Sequence, residues 1–289
     1  GVPAGLLMGG SVAVAGAALM GAPVGFPEWL RNATFILTGV SMGTNVARDS
    51  LALLGQWPVT VAALVIELIL VVAGTGYMLR KLFALDRGTA YLSSFPGHLS
   101  FVMGIAAAGV GDPRQITIIQ VIRILMLTVC VPVGALFLPV GEFAGPAAAA
   151  TLTPVQLVLI VLICALAGFV FTRIGVPAGY ALGAMAAAMA AKFSGQLDGT
   201  MPDWLLTGTY VLLAALMGSR FAGITFAEFR KAALGGLLAI VMIICIVTAV
   251  AFAASQLVAM PFGQIWLGLS PGALEGMGAL GIALGFDTA

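Results

Sequence analysis

The chain has 289 residues, 61% of them hydrophobic and only 8% charged, with a formal net charge of +1 and a mean hydropathy of +1.15. Soluble domains carry about a quarter charged residues, so this composition excludes an ordinary soluble fold and places the chain in a lipid bilayer. The near-zero charge argues against nucleic acid as a partner, because phosphate neutralisation needs a clustered basic surface.

Apolar runs bounded by charge, proline and glycine predict helices over Ala4–Ala22, Trp29–Val46 and Pro58–Leu79. The chain opens in Gly1-Val2-Pro3 with no basic region before it, so no cleavable signal is expected there. From Gly88 to Gly111 the chain is again apolar, but Ser93-Ser94-Phe95-Pro96-Gly97-His98 interrupts it. Proline removes a helical hydrogen bond and glycine frees the backbone, so two half-helices should meet there. If helical, Thr89–Phe95 rises about 10 Å and His98–Val110 about 20 Å, each near half of a ~30 Å hydrocarbon core. A helix over Gln115–Phe137 follows, then Thr153–Thr172, Val176–Ala191, Trp204–Met217 and Lys231–Ala259, and a second break at Pro271-Gly272. Several of these runs fall below the ~20 residues that span a bilayer unaided, which predicts short, tilted or buried helices.

The chain says the same thing twice. Gly1-Val2-Pro3-Ala4-Gly5 returns as Gly175-Val176-Pro177-Ala178-Gly179, and beyond it an offset of 175 relates Pro27-Glu28-Trp29-Leu30 to Pro202-Asp203-Trp204-Leu205. The same offset relates Met42-Gly43 to Met217-Gly218, Pro96-Gly97 with Leu99 to Pro271-Gly272 with Leu274, and Asp112 to Asp287. In so apolar a chain an internal duplication points to a transporter built from two related halves, 1–146 and 147–289. Thr153–Thr172 has no counterpart before Gly1, and Gln115–Val140 none after Asp287, so one helix is expected to be missing at each end. Glycines four apart, Gly1, Gly5 and Gly9 and again Gly175, Gly179 and Gly183, predict close helix contacts.

Length alone leaves each Pro-Gly segment either crossing the membrane or re-entering. Charge discriminates between them. Arg80, Lys81 and Arg87 precede the first Pro-Gly pair, whereas Met260–Gln264, before the second, carries no charge; Arg173, Arg220, Arg230 and Lys231 are the second copy's candidates for cytoplasmic loops. The positive-inside rule then has the two copies facing opposite ways. Inverted copies need an odd number of crossings, which five spanning helices and one re-entrant hairpin per copy supply.

Half-helix ends near the midplane offer unpaired N–H and C=O groups to an ion or polar substrate. Ser93, Ser94, Pro96, Gly97, His98 and Ser100 form one such tip, and Ser270, Pro271, Gly272 and Glu275 the other. Glu275 is either a coordinating or proton-carrying carboxylate or a cap on the second half-helix. His98 is either a titrating group or a hydrogen-bonded structural residue beside a turn. Glu67 and Arg123 each lie deep in a predicted helix, where they either serve transport or pair with one another inside the bundle. Asp112 and Asp287 close their hairpins and are expected to fix loops. Cys130, Cys164 and Cys245 sit in apolar runs as small hydrophobes, and a single histidine cannot build a histidine-ligated metal centre. No metal, cofactor or catalytic set is expected.

At Pro96-Gly97-His98-Leu99-Ser100, Asp112, and Gln120 with Arg123, the chain resembles the AbrB-duplication family of bacterial membrane proteins; Pro271-Gly272-Ala273-Leu274-Glu275 with Met277 and Asp287 resembles that family's second repeat. In the family's pattern a second glycine follows Pro-Gly and an acidic residue lies beyond the leucine. Here His98 and Ala273 replace the glycine, and only Glu275 keeps the acid. Members have carried labels as gene regulators or as ammonia monooxygenase, neither of which suits an almost wholly membranous chain with one histidine. By fold-level analogy the resemblance implies the inverted-repeat class that includes citrate and glutamate symporters and sodium–proton antiporters.

The reading is therefore an all-α polytopic protein of the bacterial inner membrane, with two inverted structural repeats, each of about five transmembrane helices plus a Pro-Gly broken or re-entrant hairpin. It is expected to be a secondary transporter of a small solute, with an anion as one candidate, by alternating access, not an enzyme. Its partners are then a small-molecule or ion substrate and membrane lipid, with no nucleic acid and with a homodimer left open. The alternative is a non-transporting membrane module for sensing, regulation or assembly.

Overall fold

The computed structural model describes residues 5–46, 57–96, 99–135, 150–258, 260 and 262–271, side chains excepted at 57, 99, 100 and 135. Among these residues the protein is all-helical, with eleven helices and no strand: α1 (Gly5–Leu19), α2 (Glu28–Asn45), α3 (Trp57–Phe83), α4 (Arg87–Ser94), α5 (Leu99–Ala107), α6 (Pro113–Ala135), α7 (Pro154–Arg173), α8 (Gly179–Phe193), α9 (Asp203–Ser219), α10 (Phe226–Ser255) and α11 (Phe262–Leu269). Four are long and apolar enough to cross a membrane, over Pro58–Phe83, Pro113–Gly134, Pro154–Arg173 and Phe226–Ser255. Val155, Val158, Leu162 and Leu166 of α7 are exposed, as a lipid-facing surface requires.

Among the boundaries that differ from the expectation, three have a clear local reason. Helix α3 runs past Leu79 to Phe83 because Arg80 and Lys81 fall in its last turn, where cations suit the carbonyl end of a helix, and Ala84 at φ 51 then breaks it. Helix α10 begins at Phe226 instead of Lys231 because Thr225 and Glu228 form a reciprocal capping box. Helix α8 begins only at Gly179, since Ala178 at φ 52 is left-handed.

The duplication reappears in the elements. Helices α4 and α11 occupy matching ranges at the offset of 175, residue for residue. Trp29 and Trp204, equivalent residues in the first turns of α2 and α9, are 70% and 71% exposed, which suits aromatic rings at a membrane interface. Neither copy packs by itself. One bundle combines α1, α2, α7, α8 and α9, the other α3, α4, α5, α6, α10 and α11, and α6 joins them by packing on α1 and α9. The join is apolar: Ala15 and Ala18 meet Ile118, Val121, Ile122 and Leu125, with Phe221 and Ile224 beside them.

Packed pairs set the helix directions. Gly235, early in α10, faces Leu79 and Phe83 at the end of α3, while Gly74 faces Ile246, so these two counterpart helices run antiparallel. Arg114 meets Glu228 and Ile122 meets Gly236, so α6 runs parallel to α10. The basic residues Arg80, Lys81, Arg87, Arg114, Arg230 and Lys231 consequently gather at one end of the second bundle.

In the first bundle small residues let backbones touch. A Cβ on Gly43 of α2 would fall 2.6 Å from both the Met185 carbonyl and the Ala188 Cβ of α8. Its counterpart Gly218 of α9 would meet the Val14 Cβ of α1 at 2.6 Å and the Ser11 carbonyl at 2.8 Å. Buried Thr34, Thr38, Thr44 and Thr209 turn their hydroxyls back to carbonyls of their own helices, so these four hydroxyls are not left to the lipid. Of the expected glycine contacts, Gly179 and Gly183 press on Thr172 and Ala167 of α7, whereas nothing lies within 4 Å of a Cβ on Gly175 or, in the first copy, on Gly9; Gly1 lies outside the described residues. For Gly9 the reason is that α7 covers α8, while no described helix covers the matching face of α1.

Substituting Gly43→Ala forces α2 and α8 apart and is expected to destabilise the protein by about 1–3 kcal/mol. Gly9→Ala enters open space and should be neutral or slightly stabilising, since alanine is the better helix former. Thermal unfolding of both variants in one detergent checks the contrast.

Candidate functional site

The first broken helix is built from both ends. The Asp86 carboxylate caps α4 by accepting from the Thr89 amide at 2.9 Å. The Thr89 hydroxyl in turn accepts from the Asp112 amide at 2.7 Å, and a Cβ on Gly88 would fall 2.8 Å from the Gly111 nitrogen. Gly111 needs its positive φ of 84, and a Cβ there would come within 2.5 Å of the Thr89 nitrogen. After α5 the chain is therefore back beside the start of α4. Asp112 then caps α6, accepting from the Arg114 amide at 2.8 Å, which is the loop-fixing part expected of it.

Helix α4 runs alongside α6. The Gln120 side-chain amide donates to the Leu92 carbonyl at 2.8 Å. One turn further, Arg123 Nη1 donates to the carbonyls of Ser94 at 3.0 Å and Ser93 at 3.3 Å, and Nη2 to that of Phe95 at 3.3 Å. The last carbonyls of any helix lack intrahelical donors and form the negative end of its dipole. A planar guanidinium with five donors can serve several of them at once. Arg123 is 3% exposed and lies ten residues into α6, about 15 Å along it. The end of α4 is thus held beside the middle of the 23-residue α6.

The same locus keeps unused polar atoms. Arg123 Nε, the Ser93 hydroxyl and the Gln120 side-chain oxygen are buried without a hydrogen-bond partner. They are a donor, a donor-acceptor and an acceptor, borne by adjacent turns of α4 and α6. Sequence reading reached Gln120 only within the family pattern and passed over Thr89; the spacing of Gln120 to Arg123, three apart on one helix face, was the available signal.

Other expected site residues are placed differently. The Ser94 hydroxyl donates to the Ala90 carbonyl and that of Ser270 to the Trp266 carbonyl, both at 2.8 Å, so each is satisfied within its own half-helix. Pro96 and Pro271 are half-buried just beyond those ends. Gly97, His98, Gly272 and Glu275 lie outside the described residues, as does the Ser100 side chain at the start of α5. Helix α11 is anchored to α10 by the Trp266 indole N–H, which donates to the Thr248 hydroxyl at 3.0 Å.

Of the two alternatives for Glu67 and Arg123, the mutual pair does not form. Glu67 is fully buried with neither carboxylate oxygen partnered, while the Arg123 guanidinium is taken up by the carbonyls of α4. The two sit at different depths: Arg123 about 15 Å from the basic end, Glu67, sixteen residues before Phe83, about 24 Å from it. Among the described residues no three histidine, cysteine or acidic side chains cluster as metal ligands. Cys164 is buried, Cys130 half-buried and Cys245 exposed on an apolar helix.

Residues 6–289 match the family profile described as transition state regulatory protein AbrB. A protein of Escherichia coli (strain K12) named "Putative regulator AbrB" is 24% identical over 297 residues, which cover 100% of this chain and 84% of that protein. No solved structure matches.

Arg123→Met should loosen α4, at roughly 1–3 kcal/mol for each buried carbonyl left unpaired, and faster amide exchange at Leu92–Phe95 would register it, with Arg123→Lys intermediate. Hydrogen bonds from the Thr89 hydroxyl and amide hold the Asp86 carboxyl below the usual carboxylate range. A carboxyl depressed on folding adds stability above its unfolded value and loses it as pH falls through the folded value. Protection of the Thr89 amide should accordingly fade in acid, and Asp86→Asn, which keeps a capping oxygen, should remove that pH dependence.

Proposed function

This chain belongs to the AbrB family, and from that premise we propose that it is a secondary carrier of a small anionic solute in the bacterial inner membrane. The observation that carries the reading is α4, a half-helix that stops at mid-depth with its carbonyls on the buried Arg123 and with unpartnered Ser93, Gln120 and Arg123 atoms beside it. Arg123 offsets the negative end of α4, and α5 starts just past the Pro-Gly pair with the positive end of its own dipole at the tip. A small anion suits that balance. The contact of Thr89 with Asp112 supports a re-entrant hairpin over a crossing helix.

The antiparallel run of the counterpart helices α3 and α10 supports inverted repeats. The gathering of basic residues at one end supports a cytoplasmic face there. Both half-helix elements lie in one bundle and the closely packed α1, α2, α8 and α9 in the other, with α6 the main bridge among the described residues. Rocking of the first against the second is the motion such a division favours, and it supports alternating access.

A second reading, a membrane module for sensing or regulation, draws on the regulator names of the family and of the relative. It also draws on the internally satisfied hydroxyls of Ser94 and Ser270.

Thermal stabilisation of the purified protein against small carboxylates, amines and cations separates the two. A carrier is expected to gain about 2.7 kcal/mol at a hundredfold excess of ligand over Kd, and the gain should vanish in Ser93→Ala, whose wild-type hydroxyl is unpartnered. No stabilisation across the panel at several pH values would favour the sensing module.

A further inference from the structure

Glu67 lies ten residues into α3, in the half of that helix away from the basic end, and none of its surface is exposed. Ala63 and Val71, one turn to either side, put it on the face that α3 turns to an apolar cluster with Val247 and Ala251 of α10 and Ile265, Trp266 and Leu269 of α11. Both carboxylate oxygens are without a hydrogen-bond partner. An unpaired carboxylate anion is not tolerated in such surroundings.

Among the described residues, the elements around it bring no charge to it. Helix α10 carries Glu228, Arg230 and Lys231 at its other end, and its Cys245 is exposed; α11 has no titratable residue, and its Trp266 indole is spent on Thr248. From α4, Arg87 stands at the basic end and Tyr91 packs on Gly76. From α6, Arg114 is paired with Glu228, Arg123 with the end of α4, and only the half-buried Cys130 reaches the same cluster. A hard metal cation needs several oxygen ligands around it. A proton needs one.

We infer that Glu67 is a proton-binding site, protonated while α3 and α11 are packed together and deprotonated when their separation admits water. The proton is taken from water as an O–H bond forms on one carboxylate oxygen, and it returns to water when that bond breaks; no other bond changes. The coupling of this proton to movement of the second broken helix rests on the carrier reading, whereas the site itself does not.

The test uses the whole chain in lipid nanodiscs, with the proton itself as the probe. At neutral pH the infrared spectrum should contain a protonated-carboxyl carbonyl band that shifts on labelling with carbon-13 glutamate and is lost in Glu67→Gln. Amide exchange in α11, corrected for its intrinsic pH dependence, should rise with pH in the wild type and stay flat in Glu67→Gln and in Glu67→Leu, which fills the same space without a titrating group. A band that survives in Glu67→Gln, or an α11 exchange profile that is the same in wild type and both variants, overturns the inference. Neither readout needs a solute, so a protein that moves none yet shows both signals would sink the carrier reading and leave the proton site standing.

Discussion

In a bilayer no water is at hand to take up a stray carbonyl, so a helix can end inside the hydrocarbon only if protein groups receive its last carbonyls. Arg123 does this for α4. Take the guanidinium away and the buried end of α4 is left with carbonyls that no donor receives. The contact serves both partners, because a buried cation needs acceptors as much as orphaned carbonyls need donors. Around it the remaining devices fall into place: the Asp86 cap and the Thr89–Asp112 hydrogen bond pin the hairpin's outer end, and Gln120 pins its flank.

Glu67 is the other deeply buried charge-bearing group, and it is treated in the opposite way. Arg123 is surrounded by carbonyl acceptors, whereas Glu67 shares the face of α3 that Ala63 and Val71 turn to an apolar cluster. The first arrangement stabilises an ionised side chain. The second stabilises a neutral one. A bundle that holds a fixed positive charge at one broken helix and a neutral, protonatable acid beside the other has the asymmetry that solute binding and proton coupling would use.

The two bundles differ in how they are held. The first relies on backbone approach through Gly39, Gly43 and Gly218, with hydroxyls folded back on their own helices; it has little that could rearrange without parting whole helices. The second has helix ends inside it, polar atoms without partners, and an indole hydrogen bond as the tether of α11. Among the described residues contact between them runs mainly through α6, with Phe229 of α10 against Phe221 beside it, across apolar side chains. The helix that bears Arg123 thus also packs on α1 and α9 of the other bundle.

Much of this was legible in the chain itself, because the bilayer leaves few solutions. Apolar runs had to be helices, so α1 to α3 and α6 to α10 fall close to their expected ranges, and Pro96-Gly97 had to interrupt a helix. The duplication was written in the residues and recurs in α4 and α11 at the same offset. What sequence could not decide was which buried groups meet. Glu67 and Arg123 looked like partners because both are ionisable and deep, yet rise per residue and the antiparallel setting of α3 against α10 put them at different depths. Ser94 looked available and is satisfied by Ala90, one turn back in its own helix, while the unpartnered hydroxyl belongs to Ser93. Periodicity, proline and glycine act along the chain and can be read from it; the pairing of Arg123 with carbonyls about thirty residues away, and the interleaving of both copies in each bundle, depend on how helices are laid side by side, and only the tertiary structure decided that.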